Sequence, residues 1–274
     1  EQLAENWKQL KLGGVEREVT VMFADLSGFT ALSTRLPAAE LVELTNRYLA
    51  LIVAEVDATG GYVDKFIGDE VMAMWGAPTD NSDHAYDALI AGMTIAGRIE
   101  QERAEAASQG EHGFGVKIGL YSGIAIVGNV GSEQRYNYTA VGKTVNVASR
   151  FESLSGIYHC SVVVGPTTAK AVADRITLRE VDSVLVKGLD EPLTIYQPIA
   201  RYGEETPEQA RTTQQYRDAL EHYRNRQFKT ACEMWEQLSA TDGPSSVMAS
   251  RARDFLEKPP PSNWDGVWGQ CQTN

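Results

Sequence analysis

Histidine and cysteine, the usual nitrogen and sulfur ligands of transition metals, are scarce, with four histidines and three cysteines in 274 residues. His84, His112, His159 and His222 form no ligand spacing. Cys160, Cys232 and Cys271 stand far apart, without the paired intervals of a zinc site. A sparse, odd set excludes a disulfide framework and suits a reducing compartment. No local motif supports a cysteine nucleophile or a serine triad. Positive charge is also in deficit. Lysine and arginine number 25 against 37 acidic residues, a net charge of -12, which excludes a general nucleic-acid binder with its basic stripe. A nucleotide held at a locally cationic site remains compatible with that balance. No apolar run approaches the ~20 residues of a spanning helix, and no signal peptide is present, so a cytoplasmic location is expected of this segment. The sequence opens at Glu1 without a methionine, which leaves room for a sensor or membrane module upstream of it.

Hydrophobic residues at 43% and charged residues at 23% belong to an ordinary globular protein, long enough for one large domain and a smaller one. Between Glu16 and about Tyr196 strand and helix signals alternate. Val19 to Phe23 reads as a buried strand. A helix is expected from near Pro37, carrying Leu41, Leu44, Tyr48, Leu51 and Ile52 at helical spacing and ended by Gly60-Gly61. Gly61 to Trp75 reads as strand, tight turn and strand, with the turn at Ile67 to Glu70. A long helix follows from about Ser82 to Ala107. Val116 to Val130 reads as a hairpin turning near Ser122-Gly123. Thr144 to Leu154 reads as a helix and Ser161 to Val164 as a strand. The pattern implies an α+β fold, a mixed sheet with helices on one face, for which a ferredoxin-like core is the natural candidate. The expected divisions are an N-terminal linker or helix over 1–15, the main domain over 16–200, and a helical segment with its tail over 201–274. In that last part Tyr216, Ala219, Leu220, Tyr223, Phe228, Ala231, Trp235 and Leu238 trace a two-helix pattern resembling one tetratricopeptide unit. A third helix is expected over about 246–255, stopped by Pro259-Pro260-Pro261, with an irregular tail at 264–268. This segment reads as a packing or interaction module, with a protein partner as one role.

Two carboxylates stand out, because strand ends in a sheet converge and hard divalent cations take oxygen ligands. Asp25 directly follows the first strand, and Asp69 sits in the turn between two apolar strands. Singly, each reads as a helix cap or a turn former. Ser27-Gly28-Phe29-Thr30 joins a strand to a helical stretch, where main-chain N–H groups can approach an anion. Asn146 and Arg150, spaced i, i+4, fall on one helix face, and a guanidinium binds oxyanions bidentately. Lys187 ends a strand, and Lys65 stands in an apolar strand before the Asp69 turn.

Taken together, Val19 to Thr30, Phe66 to Val71, Tyr138 to Arg150 (YTAVGKTVNVASR) and Val186-Lys187-Gly188 resemble the catalytic signature of class III adenylyl and guanylyl cyclases. The resemblance covers roughly residues 16–197. It implies a ferredoxin-like catalytic domain working as a head-to-tail homodimer with two shared sites and two Mg²⁺ or Mn²⁺ ions at each. By the same resemblance Asp25, Asp69 and the Leu26 carbonyl would hold the metals, and Ser27, Gly28, Phe29 and Thr30 would cradle the triphosphate. The facing subunit would bring Lys65 and Thr139 to the base, Asn146 to the ribose, Arg150 to the α-phosphate and Lys187 to the terminal phosphate. Lysine can approach adenine N1 and a threonine hydroxyl can accept from the exocyclic amine, so ATP is the expected substrate and cyclic AMP the product. Threonine departs from the aspartate of the mammalian-type subgroup and resembles a bacterial-type one. Since a hydroxyl also donates, that substitution weakens the base argument. Guanylyl cyclase is the neighbouring alternative. A catalytically silent nucleotide-binding or dimerising regulator would have lost a metal or transition-state residue, and none is lost here. A role as a binding platform centred on the C-terminal helices is the third alternative. Diguanylate cyclases share the fold and the turn but lack a counterpart of the Asn146/Arg150 helix.

Overall fold

The computed structural model describes residues 12–132, 134–187 and 189–269. Most of the N-terminal linker, Gly188 and Cys271 lie outside the described residues. β1 (Gly13–Ser27) runs well beyond the apolar run that announces it. A short helix, α1 (Phe29–Ser33), and a long one, α2 (Ala38–Ala58), follow, the second with Pro37 immediately before its first turn. β2 (Tyr62–Ile67) and β3 (Glu70–Trp75) make the expected hairpin. Then come α3 (His84–Ser108), β4 (Gly115–Ser132), β5 (Arg135–Val141), α4 (Lys143–Ile157), β6 (Val162–Val164), α5 (Pro166–Val172), β7 (Ile176–Leu185) and β8 (Leu193–Arg201). The chain continues through α6 (Pro207–Arg224), α7 (Phe228–Glu236), α8 (Gly243–Glu257) and β9 (Trp268–Gly269).

Among the described residues the strands form one mixed sheet in the order β2-β3-β1-β4-β6-β8-β7-β9, with β5 paired to the far end of β4. The segment 116–130 is not a hairpin turning at Ser122-Gly123. β4 runs straight through, paired with β1 from Gly13↔Asn129 to Ser27↔Gly115, and the hairpin lies instead between β4 and β5. The glycines that suggest a turn serve close packing. A Cβ at Gly119 would lie 2.0 Å from the Glu152 nitrogen, and one at Gly123 would lie 2.9 Å from Thr144 Oγ1. Helix α4 therefore rests directly on the strand backbone.

This also divides the helices between two faces rather than one. Side chains alternate along a strand. Ile118 and Leu120 join the core shared with α2 and α3, whereas Gly119 and Tyr121 face α4. Both faces being covered explains why Val19 to Ala24 is buried without alternation.

The C-terminal helices close a second core with α4 and β7, in which Phe151, Leu154 and Tyr158 meet Tyr216, Tyr223 and Trp235. α6 begins with Thr206 and Gln209 capping each other's main-chain N–H and with Pro207 in the first turn. α8 is capped by Asp242, whose carboxylate accepts from Ser245 N at 3.0 Å. Buried polar groups tie this layer to the sheet. Arg251 donates to Asp182, whose side chain is fully buried, and to the Tyr158 hydroxyl at 3.1 Å. Its guanidinium also stacks 4.5 Å over Trp268. The tail is not wholly irregular, since β9 pairs in parallel with β7. Among the described residues no helix is long and apolar enough to cross a membrane.

Two outcomes follow for stability. Gly119→Ala forces a methyl into the α4 backbone and should cost at least ~1–3 kcal/mol, read by urea unfolding followed by circular dichroism. Arg251→Ala strands the Asp182 carboxylate in the core and should cost roughly 3–5 kcal/mol in the same measurement. A loss under ~1 kcal/mol would mean the pair is solvated in solution.

Candidate active site

Strand register assembles the first cluster. Asp25, near the end of β1, lies between Glu70 of β3 and Lys117 of β4 in one cross-strand row. Lys117 Nζ is 2.5 Å from Asp25 Oδ2 and 3.0 Å from Oε1 of Glu152, which α4 contributes from above. Asp69 enters from the β2–β3 turn, where Gly68 takes the positive φ of 70° that the tight turn needs. The four carboxylates crowd one another. Asp69 is raised above the usual carboxylate range chiefly by burial, with the Asp25 charge adding and a main-chain hydrogen bond and Lys117 opposing. Glu70 is pushed up to about 7 by burial first, then by Glu152 and Asp25. Burial alone would lower the Lys117 ammonium, but its bonds to Asp25 and Glu152 outweigh that and raise it.

Such a surplus of half-buried negative charge suits divalent cations. Among the described residues no set of three or more acidic, histidine or cysteine side chains encloses an ion alone. Mg²⁺ sites of one or two carboxylates are completed by substrate phosphate oxygens and water. The half-buried carboxylates of Asp25 and Asp69 are oxygen donors of the kind a divalent ion takes. Beside them Ser27, Gly28, Phe29 and Thr30 form the bend into α1, with Gly28 at φ 95°.

The second cluster joins residues 74 positions apart. Lys65 Nζ donates to Thr139 Oγ1 at 3.0 Å, and Thr139 in turn donates to Asp64 Oδ2. The ladder between β2 and β3 slips at Asp64, between Val63 and Lys65. Neighbouring side chains normally point to opposite faces, and a bulge re-aims one of them. Asp64 and Lys65 thus both reach Thr139, and the Asp64 side chain is fully buried.

Asn146 and Arg150 lie on the exposed side of α4, one turn apart. Neither side chain makes a hydrogen bond or ion pair with another described residue, so both are free to meet an anion brought from outside the chain. Lys187 is exposed in the loop after β7 rather than in the strand, which ends at Leu185. The structure thus joins Asp25 with Asp69 and Lys65 with Thr139, and leaves Asn146, Arg150 and Lys187 facing outward. Sequence reasoning missed Asp64, Glu70, Lys117 and Glu152. Asp64 and Lys117 carried the signal that marked Lys65, a charge set within an apolar strand.

The histidines play no part here; His84, for example, is bonded to Thr20 Oγ1 at 2.8 Å.

Comparison with known proteins bears on the family of the chain. The family described as the adenylate and guanylate cyclase catalytic domain matches residues 15–198. Adenylate cyclase 1 of Rhizobium meliloti is 34% identical over 183 residues, covering 67% of this chain and 28% of that protein. The chain thus spans about a third or less of the length of such curated relatives. Among solved structures, the adenylyl cyclase CyaB from P. aeruginosa superposes with a TM-score of 0.63 at 32% identity, covering 69% of this chain and 96% of that one. The guanylyl cyclase Cya2 superposes with a TM-score of 0.62 at 30% identity, covering 72% and 98%. With its sheet order, its paired aspartates and its Lys65–Thr139 contact in place, the chain belongs to the family of class III adenylate and guanylate cyclase catalytic domains.

Proposed function

We propose that this domain is an adenylyl cyclase, converting ATP to 3′,5′-cyclic AMP and pyrophosphate at two sites shared across a homodimer. The observation that carries the choice of ATP is the contact between Lys65 Nζ and Thr139 Oγ1 at 3.0 Å. An ammonium can only donate, which suits the N1 acceptor of adenine and opposes the N1–H of guanine. Thr139 beside it meets the exocyclic group. The relatives include both adenylyl and guanylyl cyclases, and in this reading the choice between them rests on this edge.

The reaction forms a bond from the ribose 3′-oxygen to the α-phosphorus and breaks the bond to the pyrophosphate oxygen. Two divalent ions held by Asp25, Asp69 and the Leu26 carbonyl would supply acidity to the 3′-hydroxyl and charge to the leaving pyrophosphate. The main chain of Ser27 to Thr30 offers N–H donors to the triphosphate. From the partner subunit, Arg150 would stabilise the negative charge on the α-phosphoryl oxygens, Asn146 would orient the ribose, and Lys187 would hold the terminal phosphate. Support for sharing comes from exposure. These three side chains are exposed, and Ile124, Ile126 and Val141 leave an apolar surface on β4 and β5 near the start of α4. The catalytic unit in this reading spans 16–200, and the helices of 201–274 brace α4 from behind. An upstream sensor or membrane module, and a partner for the C-terminal helices, belong to the same proposal.

Four measurements test it. Asp25→Ala and Asp69→Ala should each abolish turnover without loss of the dimer, checked by sedimentation. Arg150→Ala should lower kcat on the order of 10²–10³-fold. Mixing Asp25→Ala with Arg150→Ala should restore activity. With random association about half the dimers are mixed and each holds one intact site of two, giving about a quarter of wild-type turnover. A dead mixture in which heterodimers are demonstrated would refute site sharing. Finally, kcat/KM for ATP should exceed that for GTP by roughly ten- to hundredfold, the worth of one unpaired polar group of ~1–3 kcal/mol.

A further inference from the structure

A threonine hydroxyl is a poor reader of bases by itself, because it rotates to donate or accept as the ligand requires. Next to adenine it would accept from the amine; next to guanine it would turn and donate to O6. The surroundings of Thr139 remove that freedom. Its single proton is directed at Asp64 Oδ2 in a short contact, and the only other acceptor within range among the described residues, the Ala140 carbonyl, lies at 3.4 Å. One lone pair takes the Lys65 ammonium at 3.0 Å. What remains for a ligand is a lone pair.

We infer that Asp64 determines nucleotide specificity by holding the Thr139 hydroxyl proton, so that Thr139 meets the base only as an acceptor. Asp64 is suited to this. Its side chain is fully buried, and its second oxygen, Oδ1, makes no hydrogen bond with the described residues, the nearest cation being Lys65 Nζ at 3.4 Å. A buried carboxylate so poorly supplied with donors binds an available proton donor strongly, since losing it would leave a desolvated charge unpaired. The β-bulge that turns Asp64 toward Thr139 interrupts the β2–β3 ladder at this position alone. Lys65 then presents a donor and Thr139 an acceptor, the complement of an edge with a ring acceptor and an exocyclic amine. Guanine offers the reverse at both places.

Asp64 acts through Thr139 and is a positioning residue, and the inference rests on the ATP reading above. The two are separated by where they fail. The test measures kcat/KM for ATP and GTP on the full chain with Mg²⁺ or Mn²⁺, for wild type, Asp64→Asn, Asp64→Ala, Thr139→Val and Asp64→Ala combined with Thr139→Val. Folding is verified by circular dichroism. A wild type that prefers GTP, or uses neither nucleotide, overturns the ATP reading and this inference with it. Given a wild type that prefers ATP, both Asp64 variants should lower the ATP:GTP ratio, by about tenfold for Asp64→Ala. Asp64→Ala should change the ratio no further once Thr139 is valine. General structural damage would depress both substrates together and leave the ratio unmoved. A ratio within about twofold of wild type in the folded Asp64 variants, or an equal fall with Thr139 already replaced, would overturn the role assigned to Asp64 and leave the ATP reading standing.

Discussion

The seat of α4 on the bare backbone of β4 is the constraint on which the rest of the molecule depends. A Cβ at Gly119 would collide with main-chain atoms of the helix rather than with a side chain that could move. The helix can therefore approach no closer and sit nowhere else without losing the contact. That single placement sets several others. Thr144 donates to the Ile124 carbonyl at 2.6 Å, fixing the start of the helix to the strand. Glu152 comes down on Lys117, which touches Asp25. Asn146 and Arg150 are turned outward by the same rotation. In the proposed dimer this helix carries one face into the acidic cluster and another toward the second subunit, and catalysis by positioned charge fails with small displacements.

The C-terminal helices gain their meaning from the same helix. They cover the side of α4 formed by Phe151, Leu154 and Tyr158, so the layer continues the cyclase core instead of standing as a separate unit. The buried Arg251–Asp182 pair, completed by Tyr158 and Trp268, gives this junction direction as well as adhesion. Cutting the chain after Ala200 would expose that apolar side, so the segment cannot be removed as a neutral accessory. Whether a stabilising layer is also a contact surface depends on its outward residues, and its inner ones are already committed.

Much of this was legible in the residues. Helical spacing located α2, α6 and α7, and the turn at Gly68 was read from the two apolar strands that flank it. Asp25, Asp69, Lys65 and Thr139 were named from their motifs, and the structure brings each pair together. The errors share a cause. Glycine in a strand signals a turn or a close approach, and the local sequence around Ser122-Gly123 holds nothing to separate them. Only the helix that arrives more than twenty residues later decides. Asp64 escaped for a similar reason. Alternation assigns it to the face opposite Lys65, and the bulge that cancels the alternation depends on strand pairing, which single-strand periodicity does not contain.

Charge balance links the two clusters to the proposed chemistry. Asp25, Asp69, Glu70 and Glu152 gather around Lys117, which bridges two of them, and Glu70 responds by holding its proton up to about 7. Bringing a triphosphate to this end of the sheet would add several negative charges to a region already short of cations. Two compensations are available: divalent ions at Asp25 and Asp69, and the outward-facing Arg150 and Lys187 of a second chain. Neither alone suffices. Metal ions held by the aspartates would leave the outer phosphate oxygens bare, while the guanidinium and ammonium alone would leave the carboxylates uncompensated. The family's shared site is thus intelligible as electrostatics. In the proposed dimer, a chain with its carboxylates inward and its cations outward is completed by a second copy, which supplies the missing half without any new residue.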